Sequence, residues 1–168
     1  MSAIFISHSS EDRAAAQEMM QRLCAQNYEA VFLDFDGEHG IAAGKDWEAE
    51  LYRNLSICRA AIVLLSEKWM ASRWCFAEFC LAKTLGKEIF PVRIAPCRAD
   101  TLLGRLQIVD LPTEGESGYR RLWGGLREAG LDPADDFAVD RTWPPYPGFN
   151  YFEEKDAGIF LDSFRLNK

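Results

Sequence analysis

The sequence predicts an α/β fold, an open five-stranded parallel sheet with helices on both faces. Three observations carry that expectation. Short apolar runs of the buried-strand type recur along the chain, segments of helical period alternate with them, and caps or turn formers separate the two. The 168 residues suffice for one such domain plus a tail, and 48% hydrophobic with 27% charged residues is the composition of an ordinary soluble globular chain.

The first strand is Ala3 to Ser7 (AIFIS). Ser9 with Asp12 three residues on has the form of a capping box, which by itself is a complete local account of His8 to Asp12. The helix it opens places Ala16, Met19, Met20 and Leu23 at i, i+3, i+4 and i+7. Ala30 to Asp34 (AVFLD) is the second strand. It runs into a glycine-rich loop, Phe35 to Lys45, that is long for a compact α/β unit, and such loops are either functional or mobile. Gly44-Lys45 is not a phosphate-binding P-loop, because Asp46 follows where Ser or Thr is required. A helix begins around Trp47 and shows Trp47, Leu51 and Leu55 on one face.

Arg59 to Ser66 (RAAIVLLS) is the most apolar strand and therefore the central one. Ser66 to Trp69 reads as a capped turn, after which Ser72 caps a helix that stops at Gly86. Glu88 to Ile94 (EIFPVRI) is the fourth strand, and Pro91 inside it implies an off-centre position or a bulge. Gln107 to Leu111 is a short fifth strand. The last helix spans Gly118 to Gly130 and buries Tyr119, Leu122, Trp123 and Leu126. Five strands alternating with helices in this way give a flavodoxin-like sheet.

One residue of the Ser72 helix breaks its pattern. Glu78 has Trp74 and Cys75 one turn before it and Leu81 and Ala82 one turn after, and none of them is charged. A carboxylate in an apolar stripe is costly unless it is paired or opens onto a cleft. Pattern alone leaves both readings open: a structural glutamate in an ion pair or at the stripe's edge, and a functional one.

Composition removes several function classes. The net charge of −7 opposes a nucleic-acid-binding surface. No run of eighteen apolar residues and no signal-peptide pattern occurs, so neither membrane nor secretion is expected. The five cysteines are scattered without a C-x-x-C pair, which suits a reducing cytoplasm and offers neither a disulfide framework nor a metal site.

Trp74-Cys75-x-x-Glu78, following the Leu65-Ser66-x-x-Trp69 approach, resembles the third-helix signature of Toll/interleukin-1 receptor (TIR) domains, in the form found in their bacterial and plant NAD+-consuming members. The strand ending Phe5-Ile6-Ser7-His8 resembles the family's first box, and the long glycine-rich loop resembles its BB loop. The resemblance runs in colinear order over about residues 1 to 130, with the domain placed at 1–132. It implies a catalytic Glu78. It further implies that His8 and Ser9 line the substrate pocket, Asp34 its floor, Lys45 and Trp47 its gate, and Trp74 the ribose-nicotinamide side. No cofactor or metal is implied, since NAD+ is the substrate, and self-association through TIR–TIR contacts is expected.

The chemistry fits a single carboxylate. Cleaving the nicotinamide–ribose bond releases a neutral pyridine, so the leaving group needs no general acid, unlike ordinary glycosides with their paired carboxylates. One group that stabilises an oxocarbenium-like transition state is enough, and an apolar shell strengthens its effect. The expected products are nicotinamide and ADP-ribose or a cyclic isomer, in bacterial defence or cell-death signalling. The alternative is a non-catalytic adaptor acting by homotypic TIR–TIR binding, a class that generally lacks this glutamate. A phosphoreceiver is set aside because the third strand ends Leu64-Leu65-Ser66 without an acceptor aspartate. A deoxyribosyltransferase shares a glutamate on a similar sheet, but the BB-type loop favours TIR.

Beyond Asp132 the character changes. Residues 133–168 read as a Pro-rich linker and tail, and the pattern from Pro145 to Phe160 resembles the entry segment of bacterial STAND-type NTPase modules, without the F-G-R ending. The resemblance implies an N-terminal effector, either a natural short form or the N-terminal part of a longer chain with C-terminal STAND or sensor domains.

Overall fold

Every apolar run that reads as a strand pairs into one sheet. The computed structural model describes residues 4–28, 30–33, 47–98, 103–104, 106–131 and 133, with backbone alone for 47–50. The strands are β1 (Ile4–Ser7), β2 (Val31–Leu33), β3 (Ala60–Leu65), β4 (Glu88–Arg93) and β5 (Val109–Asp110). They are all parallel, in the order β2-β1-β3-β4-β5, with β3 at the centre as its composition requires. This is the flavodoxin-like order. The expected tail lies outside the described residues apart from Pro133.

A short 3-10 turn (Ser10–Asp12) leads into α1 (Arg13–Ala25), and α2 spans Trp47–Ile57. Two helices follow β3, α3 (Glu67–Ala71) and α4 (Arg73–Thr84). Two more follow β5, α5 (Leu111–Glu114) and α6 (Glu116–Glu128). The last helix starts two residues before the expected Gly118, because Gly115 adopts φ +53° and turns the chain between α5 and α6. Helices α1, α4 and α6 stop alike. Asn27, Gly86 and Gly130 take positive φ, and the next residue's N–H closes onto Leu23, Ala82 and Leu126 respectively, the Schellman pattern.

Pro91 lies in an off-centre strand, the first of the two expected alternatives. It sits in an interior strand, in unbroken register opposite Val63, and makes no bulge. The N–H groups of Glu88 and Ile94 both point to β3, where they bond Arg59 O and Leu65 O. By alternation the Pro91 nitrogen faces the β5 side. Pairing with β5 begins only at Val92, so the missing donor costs no ladder bond.

Alternation also sorts the core into two layers. Ile4, Ile6, Ala60, Ile62, Leu64 and Val92 pack with Met19 and Leu23 of α1 and Leu122, Trp123 and Leu126 of α6. On the opposite face Phe5 and Ala61 meet Leu51 and Leu55 of α2, while Val63 and Leu65 meet Trp69, Cys75 and Phe79 of α3 and α4. Ser7 has the parity of Phe5, so its side chain enters the second layer. At the surface Arg22 of α1 stands 4.0 Å over the Tyr119 ring and 2.9 Å from Glu116, tying α1 to α6.

Candidate functional site

Strands β1 and β3 are neighbours, with Ser7 opposite Val63. The helix after β1 packs on one face of the sheet, and the helices after β3 pack on the other. The chain therefore diverges at the carboxyl ends of these two strands. Such a divergence leaves a crevice, the place where open α/β sheets hold ligands. Ser7, His8 and Ser9 leave β1 at that point, and Ser66 leaves β3.

Glu78 is delivered there by α4. Ser72 caps the helix, its hydroxyl accepting from the Cys75 N–H at 3.3 Å. That start places Cys75, Glu78, Phe79 and Ala82 on the buried side. Glu78 is 1% exposed. Its Oε2 accepts a hydrogen bond from Ser7 Oγ at 2.5 Å, a contact joining residues 71 positions apart in the chain.

The serine is itself held. The indole Nε1–H of Trp69 donates to Ser7 Oγ at 3.0 Å, and Trp69 is also 1% exposed. At its backbone Trp69 donates to Ser66 Oγ at 3.0 Å, and its ring meets Phe79 edge-on at 6.3 Å. Ser66 donates in turn to Asp12 Oδ2 at 2.5 Å, linking the start of α3 to the turn before α1. An exposed ion pair, Lys68 Nζ to Glu11 Oε2 at 2.8 Å, spans the same two elements, and Glu11 raises the Lys68 ammonium above its usual value. The Cys75 thiol donates to the His8 carbonyl at 3.4 Å.

Of the residues expected in a site, His8, Ser9 and Glu78 are brought to the carboxyl ends of β1 and β3, and all three are buried. Ser9 caps the 3-10 turn rather than α1 itself, and the Asp12 carboxylate of the expected capping box accepts from Ser66 instead. The Ser9 Oγ accepts from the Glu11 N–H, and its carbonyl accepts from the Asp12 N–H. Trp74, in the first turn of α4, is 53% exposed. Asp34 and Lys45 lie outside the described residues. Trp47 is described only as the first residue of α2, not by its side chain.

Two residues of the cluster, Ser7 and Trp69, lie inside the family-like motifs but are not among the expected site residues. Ser7 closes an apolar strand and reads as its last residue. Trp69 reads as part of a capped turn. The available hint was a hydroxyl ending a run whose other members are apolar, since a buried polar group needs a partner. Nothing local says that the partner is Glu78.

A carboxylate held by a serine hydroxyl and an indole N–H at the carboxyl ends of a parallel sheet can stabilise positive charge. Among the described residues no helix is long and apolar enough to cross a membrane.

Comparison with known proteins agrees with this architecture. The described fold is similar to the crystal structure of the TIR domain of the Toll-related receptor TRR-2 from Hydra magnipapillata, with a TM-score of 0.62 at 16% identity, covering 76% of this chain and 99% of that one. The TIR domains in the structure of the activated Roq1 resistosome, described as directly recognising the pathogen effector XopQ, align at 19% identity over 98% and 99% of the two chains, with a TM-score of 0.46. A prokaryotic SEFIR domain aligns at 12% identity over 73% and 96%, also with a TM-score of 0.46. No curated protein sequence matches the chain. A sequence profile of the TIR domain matches residues 4–123, from the first residue of β1 into α6 and across the Glu78 cluster, and the chain belongs to the TIR domain family.

Proposed function

We propose that this TIR domain cleaves the nicotinamide–ribose bond of NAD+. The observation that carries the reading is Glu78, a carboxylate 1% exposed, delivered to the sheet's switch point and engaged there by Ser7. In the reaction the C1′–N bond breaks and its electron pair stays on the pyridine nitrogen, so nicotinamide leaves neutral. Water forms the new C1′–O bond and gives up a proton, leaving ADP-ribose; in a cyclase a nucleophilic atom of the same molecule takes the place of water. Glu78 holds the ribose hydroxyls and offsets the positive charge that develops at C1′. His8 and Ser9 line the entry from β1, with Asp34, Lys45, Trp47 and Trp74 completing the pocket.

The proposed setting is cytoplasmic, in bacterial defence or cell-death signalling. TIR–TIR self-association builds the active assembly, and the trigger is sensed by other domains, of the STAND type. The test is nicotinamide release from NAD+ by purified protein at high concentration, wild type beside Glu78→Gln. The variant keeps the side chain's volume and loses its charge, so release should fall about a hundredfold or more. Equal release from both would place the chemistry elsewhere. A folded wild type that releases nothing at any concentration would favour the adaptor reading, in which the domain acts only by binding other TIR domains.

A further inference from the structure

Ser7 and Trp69 are too far into the second core layer to be surface contacts, and both point their polar atoms at one place. An indole N–H can donate and cannot accept. A serine hydroxyl has one hydrogen and two acceptor positions. When Trp69 Nε1 donates to Ser7 Oγ at 3.0 Å, it takes one of those acceptor positions and leaves the single hydrogen for another partner. Glu78 Oε2 lies 2.5 Å from the same oxygen. The direction of the chain is thereby set: indole to hydroxyl to carboxylate.

We propose that Ser7 and Trp69 are positioning residues for Glu78, with the donor-only indole of Trp69 committing the Ser7 hydroxyl hydrogen to Glu78 Oε2 and so fixing the carboxylate's rotamer for the reaction. The proposal rests on the NAD+ reading for its catalytic part. Three elements converge in it. Ser7 is on β1, Trp69 on α3 and Glu78 on α4, so the relay also fixes both helices against the strand end. Trp69 is suited to act as the fixed point because it is held twice more, by Ser66 at its backbone and by Phe79 at its ring. A charge-assisted hydrogen bond in a buried setting is strong enough to select one carboxylate geometry.

Two readouts test it, one of which does not depend on turnover. In nitrogen-15 spectra of the folded protein, the Trp69 indole resonance (assigned with Trp69→Phe) should shift in Ser7→Ala, and should also shift in Glu78→Gln, although Trp69 does not donate to Glu78. In steady-state cleavage of NAD+, Ser7→Ala should lower kcat about tenfold, the loss expected of one charge-assisted hydrogen bond, with KM changed less than about twofold. Trp69→Phe should lower kcat by a smaller factor. The double variant should be no slower than Ser7→Ala alone, since the indole acts only through the hydroxyl. Thermal melts of each variant establish that it is folded.

An indole resonance blind to Ser7→Ala would overturn the relay whatever the activity. So would multiplied kcat losses in the double variant, or an unchanged kcat in a folded Ser7→Ala. If the resonance responds as expected but wild type and Glu78→Gln release nicotinamide alike, the NAD+ reading is what fails. The catalytic part of the proposal falls with it, and the hydrogen-bonded chain stands as architecture.

Discussion

The carboxylate of Glu78 is almost wholly withdrawn from solvent, and Ser7 donates to its Oε2 from the end of β1. Position on the helix made Glu78 legible: its neighbours one turn away are apolar, and a charge there needs an explanation. Ser7 and Trp69 fall within the family-like motifs, but their link to Glu78 was not legible, because a serine at a strand end and a tryptophan in a capped turn are common core features. Burial has a different consequence at Cys58, between α2 and β3. Desolvation pushes its thiol from the ordinary 9.0 up to about 12, only partly opposed by Lys87. At pH 8, alkylation of the folded protein with iodoacetamide should modify exposed Cys24 and Cys80 and spare buried Cys58 and Cys75 until the chain unfolds. Mass mapping of the labelled peptides checks this. The same shift has a sign for stability. The folded state holds the Cys58 proton more tightly, so its contribution is complete below pH 9.0 and is lost as pH rises toward about 12. Cys58→Ala should remove that part of the alkaline loss in denaturant titrations.

The helices and strands followed local signals closely where those signals are self-contained. Ser66 and Ser72 cap α3 and α4 as their positions imply, and Gly86 and Gly130 stop α4 and α6. Pro91 sits in an off-centre strand as expected, but that it needs no bulge depends on which side its nitrogen faces, and so on pairing, which one strand's sequence does not contain. Within α6 the glycines divide by what surrounds them. A Cβ at Gly124 would meet nothing within 4 Å, whereas at Gly118 it would come within 3.1 to 3.2 Å of Glu114, Leu111 and Val109. We expect Gly124→Ala to stabilise the domain by about 0.5–1 kcal/mol through helix propensity. Gly118→Ala should destabilise it by about 1–3 kcal/mol through overpacking where α5, β5 and α6 meet. Urea unfolding of the two variants beside wild type decides both signs.

At the scale of the whole molecule, the β2-β1-β3-β4-β5 order makes the carboxyl ends of β1 and β3 a crevice, and helices from opposite faces supply its walls. One face carries a single core cluster and the other carries two, one under α2 and one under α3 and α4, so the site is held by strands and packed helices. If the proposed self-association builds the active form, specific NAD+-cleaving activity should climb steeply with protein concentration or on crowding. Activity strictly proportional to protein down to low nanomolar concentration would count against an assembled site.

By itself the sequence determined the five strands, the longer helices α1, α2, α4 and α6, the stops of α4 and α6, and the anomaly at Glu78, but not the short helix α5. What it determined is written in periodicity and in residues at most a few positions apart. Only the tertiary structure decided which hydroxyl meets that glutamate. Ser7 and Glu78 are 71 residues apart, and their contact depends on β1 pairing with β3, on the parity that turns Ser7 toward the α4 layer, and on α3 placing Trp69 where its indole donates to the Ser7 hydroxyl. A hydrogen bond needs distance and direction together, and only the folded sheet supplies both.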